Sequence, residues 1–174
     1  MEISRNKYLI KNTLLFTLGN LGSKLIVFFL IPLYTNTLST AQYGTIDLVS
    51  TVSTVAVPIF TINICESVMR FALDKNADKE QITQIGTYIL LLGCLLGLVI
   101  LPICSIFNQI SHYKVLTYFY TVSLAASQLY LCDLRGKELL LQYSIGNILH
   151  TLLIAIFNIT FLLFLNLGIE GYLL

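Results

Sequence analysis

Along the chain, long apolar blocks alternate with short polar segments. Five blocks, at about 12–34, 46–69, 84–107, 115–132 and 143–166, are long enough to cross a bilayer. A helix rising 1.5 Å per residue needs roughly 17–25 apolar residues for that crossing. The segments between them are about a dozen residues or shorter, so neighbouring spans run antiparallel. Thr35–Gly44 is read as a polar loop without a charge, and Phe71–Gln81 and Asp133–Glu138 as charged loops. After the fifth block, Tyr172-Leu173-Leu174 opens a further apolar run. The pattern predicts an all-α integral membrane protein: an antiparallel bundle of five transmembrane helices plus the start of a sixth.

Polar positions inside the blocks separate two kinds of helix. In the first span, Thr13, Thr17, Asn20 and Lys24 recur at steps of four, three and four, which puts them on one helix face. In the second, Asp47, Ser50, Thr54, Pro58 and Thr61 run along one side. The fifth carries Asn147, Thr151 and Asn158, with His150 beside them. These faces read either as cavity linings or as hydrogen-bonded helix contacts. The third span has Gly86, Gly93 and Gly97, and the fourth Ser123, Ala126 and Ser127, small residues that let helix backbones approach closely. His150 is read first as an interior hydrogen-bonding residue and second as a proton relay.

Composition agrees with the pattern. The chain is 56% hydrophobic and only 11% charged, where soluble domains are about a quarter charged. A net charge of +1 carries no sign of nucleic-acid binding. The four cysteines, Cys65, Cys94, Cys104 and Cys132, fall singly in or beside different blocks, without C-x-x-C spacing, and read as small packing residues. Lys and Arg set the orientation. The N-terminus and the segments around 70–81 and 133–140 hold eight of them on one side, against Lys114 alone on the other. That bias predicts a cytoplasmic N-terminus.

Lys24 is the charge that needs an explanation. It lies about 18 Å into the first span at 1.5 Å per residue, beyond easy reach of either surface. No carboxylate of the chain is expected at that level: Asp47 sits at the outer end of the second span, Glu66 and Asp133 at inner ends. Its partner is therefore a later helix, water in a cavity, or a substrate, and a charge at such depth marks a functional site. Glu66 and Arg70, spaced i, i+4, read as an interfacial ion pair or as a gate at the cytoplasmic mouth. Asp133, Arg135, Lys137 and Glu138 read as a solvated loop whose basic residues can also meet anionic headgroups. No paired-carboxylate, H-E-x-x-H, Gly-rich phosphate or Ser/His/Asp pattern occurs, so neither enzyme chemistry nor a metal or cofactor is expected.

The stretch Lys11–Leu48 resembles the opening of the bacterial polysaccharide (O-antigen and capsule repeat-unit) flippases, Wzx-like members of the multidrug/oligosaccharidyl-lipid/polysaccharide exporter superfamily. Gly22-Ser23-Lys24, Pro32-Leu33-Tyr34-Thr35, Leu38-Ser39 and Tyr43-Gly44 before Asp47 carry the likeness. Pro58–Phe71, Leu134-Arg135-Gly136 and Gly168–Tyr172 are similar to later landmarks of that family. The resemblance implies a transporter of 12–14 or so helices in two bundles around a central cavity; this chain is expected to be its N-terminal bundle, either as a fragment or as a half that needs a partner half. It implies movement of undecaprenyl-pyrophosphate-linked oligosaccharide from the cytoplasmic to the outer leaflet of the bacterial inner membrane. Lys24, Asn20, Thr17, Asp47 and Thr54 are the expected substrate-facing residues, and Glu66 and Arg70 the gate. The expected partners are the lipid-linked oligosaccharide, membrane lipid, a C-terminal bundle and polysaccharide polymerase machinery. A drug or cation antiporter of the same superfamily is the nearest alternative, although its chemistry favours a mid-membrane carboxylate. A membrane enzyme of polysaccharide assembly is the other; it calls for an outer loop or soluble domain that the chain lacks.

Overall fold

The structure, a computed structural model, describes residues 2–74, 76–100 and 111–174. Five helices are long and apolar enough to span a membrane, and no strand occurs among the described residues. Lys75, Pro102, Cys104 and the end of the third expected span lie outside the described residues.

Helix α1 runs unbroken from Glu2 to Thr37, with Pro32 inside its last turns. The loop expected over 35–44 shrinks to Leu38 and Ser39, because both helix ends satisfy their own backbone groups locally. Thr37 Oγ1 donates to the Leu33 carbonyl at 2.7 Å. Ser39 Oγ accepts from the Gln42 N–H at 3.3 Å, while the Ser39 N–H donates to Gln42 Oε1 at 2.9 Å. This reciprocal capping box starts α2, Thr40–Phe60.

The second expected span, 46–69, is not one helix. It breaks after Phe60 and resumes as α3, Ile64–Ala72. Pro58 cannot donate a backbone hydrogen bond to the preceding turn, which weakens the helix there. Beyond it the Thr61 N–H and hydroxyl both turn to the Val57 carbonyl, and the Asn63 N–H reaches the Pro58 carbonyl at 2.9 Å. Ile62 and Asn63 take left-handed conformations, φ 51° and 50°. Asn tolerates that region, whereas for a β-branched Ile it is a strained conformation. The end of α2 lies against Gly93: a Cβ built there would stand 2.6 Å from the Phe60 carbonyl oxygen.

Helix α4, Lys79–Ile100, starts earlier than the pattern predicts because Asp78 caps it, accepting from the Glu80 and Gln81 N–H groups. Helix α5 runs Lys114–Gly136 and α6 Leu140–Ile159, extended by a π-helical turn at Thr160–Phe164. Helix α7, Ile169–Leu173, is short. Helix α5 is central, touching α2, α3, α4 and α6, whereas α1 lies mainly on α6 and scarcely meets α2. One apolar core, with Leu30, Tyr34, Leu38, Val49 and Leu162, fills the end where α1 turns into α2. Another, with Val57, Cys65, Val68, Leu90 and Leu129, fills the α3 end and includes Cys94 and Cys132 at its edge. Leucines and phenylalanines such as Phe28, Phe29, Leu92 and Leu95 face outward, as a lipid-facing surface requires.

The segment Asp133–Lys137 is not a solvated loop. Asp133 lies inside α5 and is buried, bonded to Lys137 Nζ at 2.6 Å and to Thr83 Oγ1 of α4 at 2.7 Å. Lys137 also donates to Thr83 Oγ1 at 2.7 Å. The i, i+4 spacing lets the pair form on the last helical turn, and Thr83 completes the carboxylate's hydrogen bonds.

Candidate functional site

The site begins with two glycines. Gly19 brings α1 against α6 so closely that a Cβ would stand 2.8 Å from the Ser144 Cα, and Gly22 faces Ile148. This approach allows polar groups to join the helices. Ser144 Oγ donates to the Leu15 carbonyl at 2.7 Å. Asn147 Nδ2 reaches the Gly19 carbonyl at 3.3 Å and Asn20 Oδ1 at 3.4 Å, and Tyr143 Oη donates to Asn20 Oδ1 at 3.0 Å. Asn20 is thus held through its oxygen, which leaves its NH₂ donors for the other side.

On that other side Phe16, Thr17, Asn20, Leu21 and Lys24 line an open pocket of about 260 Å³. Three of the predicted substrate-facing residues, Thr17, Asn20 and Lys24, therefore share one surface. Thr17 and Lys24 are exposed, and Asn20 is half-buried at the edge of the α6 contact. Among the described residues the one ion pair joins Lys137 and Asp133, so no described carboxylate neutralises Lys24. The apolar side chains Leu14, Leu18, Leu25 and Phe29 occupy a third face of α1.

The other predicted residues lie elsewhere. Asp47 and Thr54 are exposed on α2 and do not line the Lys24 pocket; the Thr54 hydroxyl donates to its own helix at the Ser50 carbonyl. The polar residue of α2 that faces inward is Ser53, fully buried, which accepts from Thr121 Oγ1 of α5 at 2.8 Å. Glu66 and Arg70 are both exposed on α3, and they form no ion pair despite their spacing. An exposed pair gains little over separate hydration, so nothing holds the two side chains together. The polar face of α6 is a helix contact: Asn147 meets α1, Thr151 bonds its own backbone, and buried Asn158 donates to Tyr34 Oη at 2.9 Å.

Sequence reading put Arg135 in a solvated loop; it lies in the last turn of α5. Gly136 lets α5 lie against α3, where a Cβ would stand 2.7 Å from that of Ala72. The neighbouring Arg135 turns instead toward α1 and α6. Its guanidinium lies 5.2 Å from the centre of the Phe16 ring and 5.8 Å from that of Tyr143, and those rings stack at 5.5 Å. Three separate segments make this contact, and no local pattern announces it.

A helical bundle with five helices long and apolar enough to span a membrane, and large apolar side chains facing outward, defines a multi-pass membrane protein. A family model described as polysaccharide biosynthesis protein matches residues 9–174, nearly the whole chain, and the protein belongs to that family. No curated protein and no solved structure matches it.

Proposed function

We propose that the protein flips a pyrophosphate-linked oligosaccharide lipid of the undecaprenyl type from the cytoplasmic to the outer leaflet of the bacterial inner membrane. Its N-terminus faces the cytoplasm, where the bias of Lys and Arg would hold it. The observation that carries this reading is the Lys24 pocket: a cation about midway along a membrane helix, with amide and hydroxyl donors beside it and no described carboxylate. Such a cation in hydrocarbon costs about 2.5–3.5 kcal/mol on insertion scales. Water or an anionic ligand removes most of that cost. A pyrophosphate is the anion that a lipid-linked sugar brings to this depth, and an ammonium serves it as a point charge.

In this reading residues 1–174 form the N-terminal bundle of a larger transporter. A C-terminal bundle covers the polar face of α1 and leaves a water-filled cavity between the two. Rocking of one bundle against the other presents Lys24 to each leaflet in turn, while the lipid tail stays in hydrocarbon. No covalent step is needed. The sign of the Lys24 charge disfavours the cation-antiporter alternative, because a cationic substrate calls for a carboxylate at this position.

Reconstitution of the complete reading frame in liposomes tests the proposal. Lipid-linked oligosaccharide placed in the inner leaflet should become cleavable by an added, membrane-impermeant glycosidase, faster than in protein-free liposomes. Equal rates with and without protein would refute it.

A further inference from the structure

Arg135 stands at the Phe16 end of the same pocket, the end away from Lys24. Phe16, which the guanidinium covers, is a wall of the pocket, and Tyr143, its second aromatic neighbour, holds Asn20 in place. With Gly19 marking the direction of α6, a turn of 100° per residue puts Phe16 at about 60°, Asn20 at about 100° and Lys24 at about 140° around α1. The rotation has one sense, so Arg135 reaches α1 on the polar side of the α6 contact. Eight residues separate Phe16 from Lys24, a rise of about 12 Å.

The neighbouring charges leave Arg135 free for a ligand. Asp133 is taken by Lys137 and Thr83, and no described carboxylate pairs with Arg135. A guanidinium stacked on a ring keeps the donors along its edge, and that edge suits the paired oxygens of a phosphate. Packing alone would need neither the charge nor the free edge.

We propose that Arg135 is a second phosphate-contacting residue of this pocket. It binds the pyrophosphate of the lipid-linked substrate at the α5 end and passes it on toward Lys24. The inference rests on the reading of the Lys24 pocket as a pyrophosphate site.

The test is equilibrium binding of farnesyl pyrophosphate to the purified product of the complete reading frame, with thermal unfolding measured on each variant. Arg135→Ala should weaken binding about tenfold and Arg135→Lys about threefold, since lysine keeps the charge without the fork. Arg135→Gln keeps a planar group for the stack and should also lose about tenfold while unfolding at the wild-type temperature. It serves as the deciding variant if the alanine protein does not accumulate. Wild-type affinity in Arg135→Gln, with weakened binding in Lys24→Ala, would overturn the role of Arg135 and leave the pocket reading intact. No binding by the wild type, or full binding by Lys24→Ala, would overturn the pocket reading itself. Displacement of the probe by an equal concentration of inorganic pyrophosphate would overturn a lipid-linked source.

Discussion

Lys24→Ala in the complete protein is expected to cut surface polysaccharide to roughly a tenth of wild type or less in a strain lacking its own flippase, with Lys24→Arg retaining a clear fraction. A charge-assisted hydrogen bond contributes about 1.5–3 kcal/mol, which is roughly ten- to hundredfold in affinity. The same substitution should leave the amount of protein in the membrane unchanged or raised, because a mid-membrane charge opposes insertion. That pairing of results separates ligand contact from structure. A lysine that served to bind a later helix would lose accumulation and export together, since removing one partner strands a buried charge. Normal polysaccharide from Lys24→Ala would show that the pocket needs no cation. The geometry favours the first outcome: Lys24 and Thr17 are exposed, and no described acid neutralises the charge.

Gly93→Ala is expected to destabilise the bundle by about 1–3 kcal/mol, the usual range for overpacking, and Gly93→Leu to abolish accumulation. The added Cβ would stand 2.6 Å from the Phe60 carbonyl oxygen and 3.1 Å from its carbon. Both are backbone atoms at the break between α2 and α3, so no side chain can rotate away. Gly44→Ala is the contrasting case. Nothing lies within 4 Å of a Cβ there, and the residue is inside α2. Alanine should add about 0.5–1 kcal/mol through helix propensity. Thermal unfolding of the purified variants in detergent measures both effects. Equal stability of Gly93→Ala and wild type would mean that the α4 backbone does not hold the break in place.

The same break marks how far sequence could be read. Five spans were legible because twenty apolar residues in a row have few other uses. The stripe of Thr17, Asn20 and Lys24 was legible because helix periodicity is local, and the structure brings these three to one surface. Pro58 was read only as part of the polar side of the second span, and the break beyond it lies against Gly93, more than thirty residues away. The capping box of Ser39 and Gln42 was present as a local pattern, and it would have shortened the loop expected over 35–44. Asp133 was misread because its i, i+4 lysine looked like loop charge; burial comes from Thr83 on another helix. Asn147 has the spacing of a cavity residue, yet Gly19 draws α6 so near that its amide is used up on α1. Arg135 depends on α1, α5 and α6 together, which no single stretch reports.

The central claim is that the Lys24 face of α1 meets water and anions, not lipid or a packed helix. Its most direct measurement is thiol chemistry on Lys24→Cys, placed in the complete protein with its native cysteines replaced. A charged, membrane-impermeant methanethiosulfonate should modify Cys at this position, and farnesyl pyrophosphate should slow the reaction. Modification only by an apolar, membrane-soluble maleimide would place the position in lipid, and no modification by either reagent would place it in a packed interface; both contradict the account.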